Sequence, residues 1–220
     1  MLFDERINTY IQSLDTGNSP FLNELEKEAK DAFVPIIRPS MQNLLKLLIR
    51  MKRPRRILEV GTAVGFSAIL MAEAADSDCR ITTIEKYEKR IPLAKENFVK
   101  SGKQDMITLL EGDAADILAD LNKQGNKYDL IFMDAAKGQY MNFYEDVMGI
   151  LETGGLLVSD NVLQDGDIIE SRFAVTRRNR TIHSRMREYL YTLTHDERLT
   201  TTILPVGDGV TISVMEDNER

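Results

Sequence analysis

The sequence predicts an α/β fold in which a seven-stranded, mostly parallel sheet is doubly wound by helices, carries a helical extension at its N-terminus and ends in an antiparallel hairpin. Three observations predict it. From Arg56 onward, short apolar runs alternate with helical stretches in five βα units, the pattern of a parallel sheet. Runs such as Leu130-Ile131-Phe132-Met133 and Leu156-Leu157-Val158 are apolar without interruption, as strands buried on both faces are. Near the C-terminus two β-like stretches are joined by Gly207-Asp208-Gly209, too short a link for a crossover, so they pair antiparallel.

The elements follow in order. Residues 1–53 read as helices: Leu2 to Leu14, a break at Gly17-Asn18-Ser19-Pro20, Phe21 to Phe33, and a third helix after Pro39 with Ser40 as its N-cap and Leu44, Leu45, Leu47 and Leu48 toward the core. Pro54 ends that helix. Residues 54–220 form the sheet core of what reads as one domain spanning 1–220. Its parallel strands are Arg56 to Val60, Arg80 to Glu85, Met106 to Leu110, Tyr128 to Asp134 and Gly155 to Asp160. The helices between them run from about Gly65 to Ala75, Glu88 to Lys100, Asp113 to Lys123 and Met141 to Leu151. A basic helix, about Asn179 to His195, leads to the hairpin strands Thr200 to Pro205 and Val210 to Met215, with His183 and His195 read as surface residues of that helix.

At 220 residues and 43% hydrophobic, the chain can bury a full core. Charges throughout the first residues and the lack of any long apolar stretch predict a cytoplasmic protein with neither a secretory signal nor a membrane partner. The single Cys79 excludes an internal disulfide and, ahead of the run Arg80-Ile81-Thr82-Thr83-Ile84, reads as a packing residue. A net charge of -7 argues against general affinity for polyanions, yet six arginines and no acid lie between Arg172 and Arg187, and six basic residues without an acid between Lys46 and Arg56. Such blocks suit a localised anionic partner; solvated helix faces and subunit contacts account for them equally well.

Two carboxylates stand where apolar strands stop. Asp134 ends one run and Asp160 the next, with Asn161 directly after. In an open α/β sheet, ligands bind beyond the carboxyl ends of the strands. Two carboxylates and an amide oxygen, without His or Cys, suit Mg²⁺, Mn²⁺ or Ca²⁺ rather than Zn²⁺. Taken singly, Asp134 could cap the next helix and Asp160-Asn161 a turn; the coincidence of three favours a site.

After the first strand, Gly61 allows a tight turn and close backbone approach, and Gly65 opens the helix. The middle glycine of the dinucleotide fingerprint is absent and no P-loop is present, so no phosphate cradle is evident. Glu85 ends the second strand, where an acid can accept from ribose hydroxyls. Asp113, after the third strand, can cap its helix or accept from an adenine amino group. An adenosine cofactor without phosphates is the economical reading, and S-adenosylmethionine fits it.

With Glu59-Val-Gly-Thr, Asp134-Ala-Ala-Lys and Asp160-Asn161 assembled, the chain resembles the cation-dependent O-methyltransferases of the catechol and caffeoyl-coenzyme A type, a class I, Rossmann-like methyltransferase fold. The resemblance implies that Asp134, Asp160 and Asn161 hold Mg²⁺ and that Ile37, Gly61, Ser67, Glu85, Asp113, Ala114 and Asp134 line the cofactor site. Plant members carry Asp-Ala-Asp-Lys where this chain has Asp134-Ala135-Ala136-Lys137, so their substrate preferences do not transfer. Within the family, Asp134-Ala-Ala-Lys-Gly-Gln-Tyr140, Val34-Pro-Ile-Ile37, the arginine block and Pro205-Val-Gly-Asp-Gly209 resemble bacterial tRNA 5-hydroxyuridine methyltransferases. That implies a tRNA anticodon arm as partner, met by Arg177, Arg178 and Arg180, and a homodimer. Lys137 could take the acceptor's proton, with Asp134 beside it in the catalytic set; a solvated lysine at a helix start is the plainer alternative. Small catechol-like or hydroxycinnamoyl acceptors, with the arginines at a dimer contact, form the competing reading. A non-enzymatic RNA- or nucleotide-binding module is disfavoured, because binding alone does not require a metal triad.

Overall fold

The computed structural model describes residues 5–171, 173–177 and 179–217. Helices α1 (Glu5–Ser13), α2 (Pro20–Asp31) and α3 (Pro39–Lys52) come first. Ser19 caps α2, its hydroxyl accepting from Leu22 N with Pro20 in the first turn. In α3 the cap is Arg38, extended at ψ 152, as the residue before a proline must be, and Pro39 opens the helix. Ser40, expected as the cap, therefore lies inside the first turn. α2 buries Leu22, Leu25 and Ala29, and α3 buries Met41, Leu45 and Ile49, each set at helical spacing.

The parallel strands are β1 (Arg56–Val60), β2 (Arg80–Glu85), β3 (Ile107–Glu111), β4 (Tyr128–Met133) and β5 (Leu151–Ser159). Between them run α4 (Phe66–Ala74), α5 (Ile91–Lys100), α6 (Ala114–Lys123) and α7 (Tyr140–Ile150). After them come α8 (Arg180–His195), β6 (Leu199–Leu204) and β7 (Val210–Met215). The sheet order is β3-β2-β1-β4-β5-β7-β6, with β7 antiparallel to both β5 and β6, as the short hairpin link requires. Among the described residues, two boundaries differ from the sequence reading by more than two residues. α5 starts at Ile91 rather than Glu88, which puts Pro92 in a first turn where its missing N–H costs nothing. β5 starts at Leu151 rather than Gly155: α7 ends at Ile150, Leu151 already pairs with Tyr128, and a register shift between Tyr128 and Leu130 absorbs the glycines.

Successive residues of each strand feed opposite faces. Ile57, Leu130, Phe132 and Val158 pack under α2, α3, α4 and α5; Leu58, Val60, Ile131, Met133 and Leu157 pack under α6, α7 and α8. Cys79 is buried in the first core, and burial pushes its thiol up to about 11, as befits a packing residue. In the second core Tyr140 and Tyr144 meet Tyr189 edge to face. His183 is also buried, at 3% exposure, with Nε2 against Glu170 O, which corrects its reading as a surface residue. Among the described residues no helix is long and apolar enough to cross a membrane.

The chain leaves β1 toward β2 and β3 on one side and returns for β4 and β5 on the other. The carboxyl ends of β1 and β4 thus diverge, which opens a crevice at the switch point of the sheet.

Candidate active site

A cavity of about 630 Å³ occupies that crevice, within the usual range for small-molecule sites. Every residue expected to hold a cofactor or a cation lines it: Ile37, Gly61, Ser67, Glu85, Asp113, Ala114, Asp134, Asp160 and Asn161, with Lys137 beside them. Each parallel strand delivers its share from its carboxyl end, and the segment before α3 closes one side with Pro35 to Arg38.

On the cofactor side, Gly61 N and Thr62 N both donate to Ile84 O, which ties the β1 turn to β2. Glu85 is aimed by three backbone amides: Ala63 N donates to Oε2 at 2.8 Å, and Lys86 N and Tyr87 N donate to Oε1 at 3.0 and 2.8 Å. Asp113 caps α6 through Ala115 N at 3.0 Å and receives Lys86 Nζ at 3.2 Å; the amide and the ammonium hold its carboxyl below the ordinary range. Of the two roles open to Asp113 from sequence, the cap is the one seen.

Behind Ser67 lies a carboxylate to which the sequence reading gave no role. Glu59 is wholly buried; Thr83 donates to its Oε2, and its Oε1 has no hydrogen-bond partner. Burial pushes its pKa up to about 7, against the pull of the Ser67 and Thr83 hydroxyls. Glu59 does not itself line the cavity, whereas Ser67 beside it does. Glu59→Gln, which keeps the shape and removes the charge, is expected to flatten the pH dependence of ligand-free stability. The folded-state group titrates near 7, so its stabilising contribution is whole below about pH 4 and is lost as pH rises toward 7. A shift of that size amounts to roughly 3 kcal/mol. Thermal unfolding between about pH 5 and pH 8 should show wild type losing stability relative to the variant, and parallel curves would acquit Glu59.

On the other side stand Asp134, Asp160 and Asn161. Burial lifts the Asp134 carboxyl, and burial together with the Asp134 charge lifts Asp160 to about 7. Asn161, at φ 60, bends back so that its Nδ2 donates to Asp134 Oδ1 at 3.0 Å and its N to Asp160 Oδ1 at 2.7 Å. Amide nitrogen and oxygen exchange by a half-turn about the last side-chain bond, which would present the oxygen at the same place. Among the described residues no three His, Cys, Asp or Glu side chains gather as a metal centre. The donor set here is two carboxylates and an amide. Two mutually repelling carboxylates with oxygen donors only are the chemistry of a hard divalent cation, so the residues fit Mg²⁺.

At the rim, Lys137 begins a 3-10 turn (Lys137–Gln139) and donates Nζ to Asp208 Oδ2 at 2.9 Å. Arg38 reaches across to Asp165 Oδ1 at 2.9 Å. The basic helix abuts the same turn: Arg185 Nη1 donates to Gly138 O at 2.8 Å, while Arg187 Nη1 donates to Ile168 O and Arg180 Nε to Val175 O. Arg177 is exposed, and Arg178 lies outside the described residues. The sequence reading missed Glu59, Asp208 and Arg185 as site residues. Each lay in a stretch already singled out, Glu59 in Glu59-Val-Gly-Thr, Asp208 in Pro205-Val-Gly-Asp-Gly209 and Arg185 in the arginine block, but none had been given a role at the site by itself.

Residues 12–215 match the O-methyltransferase family. A catechol O-methyltransferase of Niastella koreensis is 31% identical over 169 residues, covering 76% of this chain and 76% of that protein. A solved candidate caffeoyl-CoA O-methyltransferase from Staphylococcus aureus superposes with a TM-score of 0.87 at 32% identity, over 96% of this chain and 100% of that one. The O-methyltransferase TomG of Streptomyces achromogenes, solved with S-adenosylmethionine and involved in tomaymycin synthesis, gives a TM-score of 0.84 at 25% identity over 99% and 100%.

Proposed function

The chain belongs to the O-methyltransferase family, and on that premise we propose that it transfers the methyl group of S-adenosylmethionine to the 5-hydroxyl of 5-hydroxyuridine at the tRNA wobble position, giving 5-methoxyuridine, with Mg²⁺ as its cation. The cofactor assignment is supported by the cavity that Glu85, Asp113 and Gly61 share. The observation that carries the tRNA acceptor is Arg185 of the basic helix, tied to Gly138 at the rim of the acceptor side. An anticodon arm is anionic and presents unstacked bases, which such a rim can hold by phosphate and draw over the cavity.

In this reading Asp134, Asp160 and Asn161 hold the cation, whose chemistry is to favour the ionised acceptor oxygen. Lys137 Nζ takes the proton of that hydroxyl. The turn of β1 at Gly61 and the amides around Glu85 keep the adenosine end fixed, so that acceptor and methyl donor meet at a set distance, a large source of rate in such transfers. The working unit is read as a cytoplasmic homodimer; the apolar face of α1, where Ile7, Tyr10, Ile11 and Leu14 are exposed, supports self-association.

A small catechol-like or hydroxycinnamoyl acceptor is the second reading, favoured by the names of the relatives. Arg177→Ala, Arg178→Ala and Arg180→Ala together decide between them. Phosphate contacts act through counterion release, so the triple variant should lose at least about tenfold in tRNA methylation at physiological salt and about 1 in salt slope per arginine. Methylation of a small catechol should be unchanged. Equal loss on both acceptors would assign the block to folding or self-association, and unchanged tRNA methylation would remove it from the RNA site. Mass spectrometry of tRNA nucleosides from cells lacking the protein tests the acceptor itself: 5-methoxyuridine should disappear and 5-hydroxyuridine accumulate.

A further inference from the structure

We propose that Asp208 is a positioning residue for methyl transfer: its two carboxylate oxygens hold Lys137 Nζ at the acceptor side of the cavity and the backbone of the Gln164–Ile169 turn beside it. Asp208 sits at the tip of the β6–β7 hairpin, yet its side chain is only 4% exposed, against 31% for Lys137. Oδ2 accepts from Lys137 Nζ at 2.9 Å, and Oδ1 accepts from Asp165 N. The hairpin tip is itself bolted to the chain that follows the Asp160-Asn161 pair. Val162 N donates to Gly209 O at 3.0 Å and Leu163 N to Asp208 O at 2.9 Å. A side chain at Gly209 would stand 2.1 Å from Leu163 Cγ, so the two segments touch with no room between them. Arg38 closes the outside, bonded to Asp165 Oδ1 at 2.9 Å and reaching Gly207 O at 3.5 Å.

The division of labour within the carboxylate separates a purely structural role from a positioning one. Holding the turn needs only an acceptor for Asp165 N, which an amide oxygen would supply. The second oxygen, facing the lysine, is needed only by Lys137. A long, flexible amine loses its aim unless something fixes it, and a buried anion on a rigid hairpin is such a fixture. The inference rests on the reading that Lys137 accepts the proton. In that step Lys137, having first released a proton of its ammonium to water, takes the acceptor O–H proton on the freed Nζ lone pair, the oxygen forms its bond to the methyl carbon, and the S–C bond breaks with its pair to sulfur, giving S-adenosylhomocysteine. The ammonium left behind is already paired with Asp208, the logic by which a third group orients a catalytic base.

The test is a double-mutant cycle on the full chain with S-adenosylmethionine, Mg²⁺ and whichever acceptor turns over, 5-hydroxyuridine tRNA or catechol. Asp208→Asn keeps the bond to Asp165 N and should lower kcat about 10- to 100-fold with KM changed less than about twofold. Lys137→Met should cost at least as much, and the double variant no more than Lys137→Met alone. Independent, multiplying losses would make Asp208 structural and overturn the proposal, as would wild-type kcat in Asp208→Asn. If Lys137→Met alone keeps wild-type kcat, the proton-acceptor reading falls, and the positioning role falls with it. Should Asp208→Asn unfold, Asp208→Glu, which keeps the charge and moves it by one methylene, must show the same loss of kcat with calorimetric cofactor binding intact; full activity there would also overturn the proposal.

Discussion

Asp160→Ala, or chelation of wild type with EDTA, is expected to lower methyl transfer at least about a thousandfold, roughly 4 kcal/mol of barrier. Added Mg²⁺ or Mn²⁺ should restore the chelated enzyme and not the variant. The reason lies in the electrostatics of the pair. Asp134 and Asp160 are held close behind the ends of β4 and β5, burial lifts both, and the Asp134 charge lifts Asp160 further, to about 7. Such an arrangement works against folding unless a cation joins it, so its presence marks a site shaped for charge rather than for stability. The same argument makes a second, opposite forecast. In metal-free buffer at pH 8 the variant should unfold at a temperature no lower than wild type, because truncation removes a repulsion. A variant that loses activity merely because it is unstable would fail this check. Wild-type turnover by Asp160→Ala in EDTA would end the cation reading.

The fold was legible because its signals are local and repeated. Continuous apolar runs between helical stretches specify buried parallel strands, and Gly207-Asp208-Gly209 leaves no room for a crossover, so the antiparallel end follows. The convergence of the candidate site residues on one cavity was legible for a topological reason: residues at the carboxyl ends of β1, β2, β4 and β5 must meet at the switch point whatever their roles. What escaped were residues whose meaning is set by a partner far along the chain. Asp208 reads as an ordinary turn acid, and only the fold brings it to Lys137. Glu59 sits in an apolar strand like any register position, and nothing local says that its side chain is sealed with one oxygen unmet. His183 did carry a signal. It precedes Met186, Tyr189 and Leu193 at the spacing of a buried helical face, and the surrounding arginines drew the reading toward the surface. Ser40 misled because a serine before an apolar run suits a cap, but the proline ahead of it had already fixed where the helix begins.

Gly61→Ala should be the most damaging single methyl group that can be added at the site. Gly61 has φ +109, where an L side chain is strained, and a Cβ there would lie 2.2 Å from Asp134 O and 3.0 Å from Asp134 C. Both are backbone atoms, so no rotamer change relieves the contact. Nor can the strands simply part, since Asp134 N donates to Val60 O and Gly61 N to Ile84 O, which lock the turn between β4 and β2. Backbone strain and forced overpacking each cost about 1 to 3 kcal/mol, so a loss of roughly 2 to 6 kcal/mol is expected on denaturant unfolding. The functional consequence reaches across the cavity. Relief of the clash must move Asp134, which lies on the proposed cation side, although Gly61 lies on the proposed cofactor side. Cation affinity, read by calorimetry with Mn²⁺, should therefore fall together with S-adenosylmethionine affinity. If the variant keeps normal cation affinity while losing the cofactor, the two halves are not joined through the Gly61–Asp134 contact, and the close approach of β1 and β4 is only a packing feature.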